Sequence, residues 1–124
     1  MKFLAAMSIL HSRGNIHRVL IICPQAFCDW WAQEVTRYGD AGFNSSIMLD
    51  GIPAHRVENF RLCAAAKYQG YIIGSPEKML LTRYPLSLFA GEPVCDKVLM
   101  YNIRSEKQRI RLCEVGDLLL SAGA

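Results

Sequence analysis

Between Arg18 and Pro24 the chain reads Arg-Val-Leu-Ile-Ile-Cys-Pro. Val19 to Cys23 is an uninterrupted apolar run of strand length with no polar alternation, which suits a strand covered on both faces, as in a parallel sheet. Pro24 ends it, because proline has no N–H to give to a ladder. Gln25 to Glu34 follows at once as an amphipathic helix, with Asp29 expected in its first turn. Parallel strands need crossover connections, so the rest of the chain must supply alternating helices and strands. The junction itself offers free backbone N–H groups at the positive end of a helix dipole, a ready site for a phosphate oxygen. Its candidate residues are Pro24, Gln25 and Ala26.

The flanking sequence fits this demand. Phe3, Leu4, Met7 and Leu10 fall at helical spacing, with Gly14 as a left-handed cap. Nothing before Met1 supplies an N-cap or a leading strand, so the chain is expected to begin inside its fold. After the opening strand, Phe27, Trp30, Trp31, Glu34, Val35 and Tyr38 form a helix with an aromatic stripe, ended near Gly39 to Gly42. Ser46 to Leu49 is a second strand, and Pro53 opens a helix to about Ala66. Tyr71 to Gly74 is a third strand, broken by Ser75-Pro76; a helix starts at Glu77 and fades near Pro85. Lys97 to Tyr101 is a fourth strand. Ser105 with Gln108 makes a capping-box start for a helix through Ile110, Leu112 and Cys113. Asp117 to Ser121 is expected to close the chain as a fifth strand.

The expected fold is therefore α/β: one domain over 1–124 with a mostly parallel sheet of about five strands and helices on both faces. In such sheets ligands gather at the carboxyl ends of strands. A chain of 124 residues is long enough for one core and too short for two. With 52% hydrophobic and 20% charged residues it is not built as a disordered chain. A net charge of +3 permits nucleic-acid contact without arguing for it. Five cysteines without zinc-type spacing read as thiols in a reducing compartment, and no metal site is expected. The N-terminal apolar stretch lacks a small-x-small cleavage site. No run approaches the roughly 20 residues of a transmembrane helix. An intracellular protein with no membrane partner is expected.

Leu20-Ile21-Ile22-Cys23-Pro24 with Trp31 and Glu34 resembles motif Ia of the Swi/Snf-type helicase-related ATPases of superfamily two, whose form is Leu-Ile-Val-x-Pro and then Trp-x-x-Glu. The resemblance is to the first RecA-like lobe, a three-layer fold, and extends from Phe3 to Gly123. Met48-Leu49-Asp50-Gly51 is similar to the family's next strand and glycine. Tyr71 to Glu77 is similar to the strand after it, with Pro76 where an aromatic is usual. Asp117 to Gly123 looks like motif III, so Ser121, Ala122 and Gly123 are expected to couple nucleotide state to the lobe interface.

The resemblance implies an ATP- and Mg²⁺-dependent translocase on duplex DNA, nuclear, used in chromatin remodelling or DNA repair. It implies DNA-phosphate contacts through Pro24, Gln25 and Ala26, and through the Ser75 hydroxyl; such contacts position a protein without reading sequence. This chain departs from the pattern. No Gly-x-x-x-x-Gly-Lys-Ser/Thr loop occurs in it, Tyr101-Asn102 stands where the metal-holding Asp-Glu pair belongs, and the second lobe with its arginine finger is missing. Phosphoryl transfer depends on that positioning and charge neutralisation. The expectation is thus a partial lobe with no catalytic residues and no cofactor of its own. Loss of the central phosphate-loop strand is expected to leave a gap in the sheet and an aggregation-prone chain. The alternatives are a non-catalytic DNA- or protein-binding remnant or splice product, and a small doubly wound nucleotide-binding module.

Three further groups have mainly structural readings. Trp30 and Trp31 point about 100° apart on a helix, and core packing is expected before base stacking. His11, His17 and His55 stand apart from any nucleophile motif. Arg104, Lys107, Arg109 and Arg111 read as a solvated basic face, with nucleic-acid contact as the sharper role.

Overall fold

The computed structural model describes residues 2–49, 53–65, 67–81 and 93–120. Their order is α1 (Lys2–Ser12), β1 (Arg18–Ile22), α2 (Gln25–Tyr38), β2 (Ser46–Leu49), α3 (Pro53–Ala65), β3 (Gly70–Gly74), α4 (Pro76–Leu81), β4 (Lys97–Met100) and α5 (Glu106–Leu120). The four strands form one parallel sheet in the order β2-β3-β1-β4. Leu20 stands level with Ile72 on one side and Val98 on the other.

Side-chain alternation in the inner strands divides the core in two. Val19, Ile21, Tyr71 and Ile73 join Leu4, Trp31 and Val35 on the α1/α2 face. Leu20, Ile22 and Ile72 join Phe60, Met79, Leu112 and Leu119 on the α3/α4/α5 face. Every residue of β1 and β3 is buried, while β2 and β4 at the edges are mostly half-exposed. The unbroken apolar run at Val19–Cys23 is thus the signature of a strand with helices on both sides. The result is a three-layer α/β fold.

Two expectations are corrected. Asp117 to Leu120 is the last turn of α5, not a strand; Ser121 lies outside the described residues. Leu112, Gly116 and Leu119 are the buried positions of that helix, spaced four and three apart, so the Leu118-Leu119-Leu120 run belongs to a helical stripe. The expected gap is not found either: β1 is paired on both sides, and the four described strands are contiguous. At smaller scale, α2 begins at Gln25, which puts Asp29 beyond its first turn. Gly14 does take a left-handed conformation, at φ 75°.

Candidate nucleic-acid interface

The carboxyl ends of β1, β3 and β4 are tied together by the chain leaving them. Cys23 N–H donates to Gly74 O at 3.1 Å, and Tyr101 N–H to Ile22 O at 2.8 Å. These bonds extend the ladder one residue past the strands and set the three exit loops side by side. Between them lies a groove of about 350 Å³, lined by Pro24 and Gln25 after β1, Pro76 and Glu77 after β3, and Asn102 and Arg104 after β4. The start of α5 closes one side through Ser105 and Gln108.

Pro24 (φ −53°, ψ 146°) turns the chain directly into α2, and no side chain caps that helix. Phe27 N–H turns back to Pro24 O at 2.8 Å. The amides of Gln25 and Ala26 have no acceptor within the helix, as at any helix start. Gln25 and Ala26 are exposed and Pro24 is half-buried. Ser75 differs from them. It is 2% exposed, and its Oγ accepts the Lys78 N–H at 3.4 Å, which makes it the cap of α4. Of the expected residues, Pro24 and Gln25 line the groove; Ala26 is exposed but does not line it, and Ser75 is buried as the cap of α4. Ser121, Ala122 and Gly123 lie outside the described residues.

Arg104 supplies the cation at the groove, with its Nε donating to Asn102 Oδ1 at 3.2 Å. Asn102 sits at φ 55°, a left-handed conformation that asparagine tolerates better than most residues. Glu77 brings a carboxylate to the opposite rim. Lys107 and Arg111 are exposed and four residues apart, so they share a face of α5; Arg109 is two residues from each and faces elsewhere. The basic cluster is thus split between two directions. Ser105 accepts the Gln108 N–H at 3.2 Å, which is the serine half of the expected capping box.

At the end of β4 the Tyr101 ring packs among aromatic side chains: Phe27 at 5.5 Å, Trp31 at 5.3 Å and Trp30 at 6.0 Å between ring centroids. Trp31 is 1% exposed and Trp30 38%, so the first is core and the second forms the outer wall of this cluster. Magnesium prefers carboxylate oxygens at near-octahedral geometry. Tyr101 and Asn102 do not fit that ion, and among the described residues no group of three His, Cys, Asp or Glu side chains stands ready for a metal.

No family model, curated protein or solved structure matches the chain. What the groove can do chemically follows from its parts. It offers the Gln25 backbone donor, one oriented guanidinium and several neutral polar groups, a set suited to holding an oxyanion on the side away from the Glu77 carboxylate. The aromatic cluster at Tyr101 and the Asn102–Arg104 contact were not foreseen from sequence. An asparagine directly after a predicted strand was the available signal for the second.

Proposed function

We propose that this chain is the DNA-contacting part of a first RecA-like lobe of the Swi/Snf type, acting on duplex DNA in the nucleus. It binds the phosphate backbone without hydrolysing ATP by itself. The observation that carries the proposal is the convergence of the Pro24-Gln25 helix start and the Arg104 side chain on one groove at the carboxyl ends of three parallel strands. Two further observations support it: α1 and α2 cover one face of an all-parallel sheet, and the Trp31 of the Trp-x-x-Glu motif is buried there. Among the described residues no helix is long and apolar enough to cross a membrane.

The contact is to phosphate, so its affinity must fall with salt and show little sequence preference. Fluorescence anisotropy with a labelled duplex across a salt series tests it. Arg104→Ala is expected to weaken binding several-fold and to reduce the slope of log K against log salt by about 1. Gln25→Glu, which sets a carboxylate at the helix start, is expected to weaken it further. Salt-insensitive binding, or affinity unchanged in both variants, would overturn the proposal. ATP turnover by the purified chain would overturn its non-catalytic part.

A further inference from the structure

Cys23 follows β1 directly, and Cys28 is the fourth residue of α2. The turn at Pro24 brings them together: their Sγ atoms are 3.6 Å apart, and both residues are buried, at 0% and 1% exposure. Cys28 Sγ also lies 3.8 Å from the carbonyl oxygens of Cys23 and Pro24. No disulfide joins them in this structure. From this geometry we propose that Cys23 and Cys28 form a redox-modification site, a dithiol that a small peroxide converts reversibly to a disulfide. The bond closes a ring around Pro24, Gln25, Ala26 and Phe27.

A disulfide requires about 2.05 Å between sulfurs, so the pair must close by about 1.6 Å. That shift is shorter than one carbon–sulfur bond. The neighbours also assign the roles. The Cys23 thiol is pushed far above its ordinary range by its hydrogen bond to Cys28, then by burial, then by the charge on Cys28. Cys23 therefore holds its proton the more firmly, which leaves Cys28 as the attacking sulfur. Cys28 gives up its proton as it attacks one oxygen of hydrogen peroxide; the O–O bond breaks, and the departing hydroxide takes that proton and leaves as water. The resulting Cys28 sulfenic acid is then attacked by the Cys23 sulfur. The S–S bond forms, the S–O bond breaks, and the second oxygen leaves with the Cys23 proton as water. Two thiols lose two hydrogens and one peroxide becomes two waters. A reducing dithiol reverses the change. Burial of both sulfurs selects a small oxidant over a bulky one.

The test uses the full chain carrying Cys113→Ser, because Cys113 is exposed and would couple chains. The reduced protein is treated with hydrogen peroxide, unfolded, alkylated and digested with trypsin. The tryptic peptide Val19–Arg37 contains both cysteines. It is expected to carry no alkyl group and to lack two hydrogens, and to regain both alkylation sites after dithiothreitol. In Cys23→Ala the reaction is expected to stop at a Cys28 sulfenic acid, trapped by dimedone present as the treated chain is unfolded. The same peroxide applied to the chain unfolded in guanidinium is expected to close the ring at least tenfold more slowly. Full alkylation after peroxide, over-oxidation of Cys28 without ring closure, or equal rates folded and unfolded would overturn the proposal. None of these readouts involves DNA, so failure of the duplex-binding proposal leaves a distinct record.

Discussion

Arg18 and Asp96 hold each other at the amino-terminal end of the β1–β4 pair. Asp96 N–H donates to Arg18 O at 2.8 Å, and Arg18 N–H donates to Asp96 Oδ2 at 3.0 Å. The same Oδ2 accepts the His17 N–H at 2.7 Å. The Arg18 side chain turns inward: Nε donates to Val94 O at 2.8 Å, Nη1 to Tyr68 O at 3.1 Å and Nη2 to Pro93 O at 3.0 Å. This explains how an arginine can open a buried strand at 5% exposure. The polar closure of the sheet is at this end, which leaves the opposite end for the groove.

Arg18→Met is expected to destabilise the chain by about 3 kcal/mol, because three inward carbonyls lose their donor. Arg18→Lys should restore only part of this, since one ammonium cannot reproduce the planar fork. Asp96→Ala leaves two strand-end N–H groups without their carboxylate, at about 1–3 kcal/mol. Urea denaturation followed by far-ultraviolet circular dichroism measures all three. Equal stability of Arg18→Met and the parent would show that the carbonyl cluster finds water instead.

Two glycines should respond with opposite signs. A Cβ at Gly39 would lie 2.6 Å from Phe43 O and 2.7 Å from Val35 O, backbone atoms that cannot step aside alone. Gly39→Ala is therefore expected to cost about 1–3 kcal/mol. A Cβ at Gly116 would meet the Val98 methyl groups at 3.8 and 4.0 Å, ordinary contact distances. Gly116 lies inside α5, so alanine there should stabilise by about 0.5–1 kcal/mol through backbone entropy. Denaturation midpoints of the two variants should move in opposite directions.

Stability should fall on the alkaline side. Burial pushes the Cys63 thiol up from 9.0 to about 11, and burial with the nearby Asp96 charge pushes Cys95 up to about 12. Below pH 9 the folded and unfolded chains both hold these protons. Above it the unfolded chain releases them first, so the folded state binds more protons and loses stability as pH rises through about 11. Cys63→Ala and Cys95→Ala should flatten the alkaline limb of the stability profile, even where they lower its plateau. The same shift keeps both thiols protonated, so alkylation at pH 8 should label the exposed Cys113 long before them.

The strands were legible as short apolar runs, buried on both faces in β1 and β3 and only partly buried at the edges: Ser46–Leu49 has the expected ends, and β1, β3 and β4 differ from expectation by one residue at their ends. The fifth strand failed because three leucines in a row satisfy either period. Gly116 falls on the buried face of α5, opposite Val98. At the site, the proline between strand and helix was readable, since proline cannot continue the ladder. The Asn102–Arg104 contact was not, because it depends on a left-handed backbone that only the folded loop reveals. The Cys23–Cys28 approach was hidden for a similar reason. A five-residue spacing has no meaning until the turn at Pro24 superposes the two sulfurs.

Asn102 separates conformation from charge at the groove. Its left-handed φ of 55° mildly penalises a side chain, and its Oδ1 orients Arg104. Asn102→Gly should therefore keep or slightly raise stability, because glycine adopts that conformation freely. Yet it frees the guanidinium, which must then be ordered when it meets a phosphate. Fixing a long, rotamer-rich side chain on binding costs about 0.5–1.5 kcal/mol, so duplex affinity should drop by roughly 2- to 10-fold. The salt slope should stay unchanged, because no cation is lost. Asn102→Ala should show the same loss of affinity together with reduced stability. If both variants bind the duplex as the parent does, Arg104 acts only as an untethered surface charge, and the Asn102 contact has no part in holding the backbone.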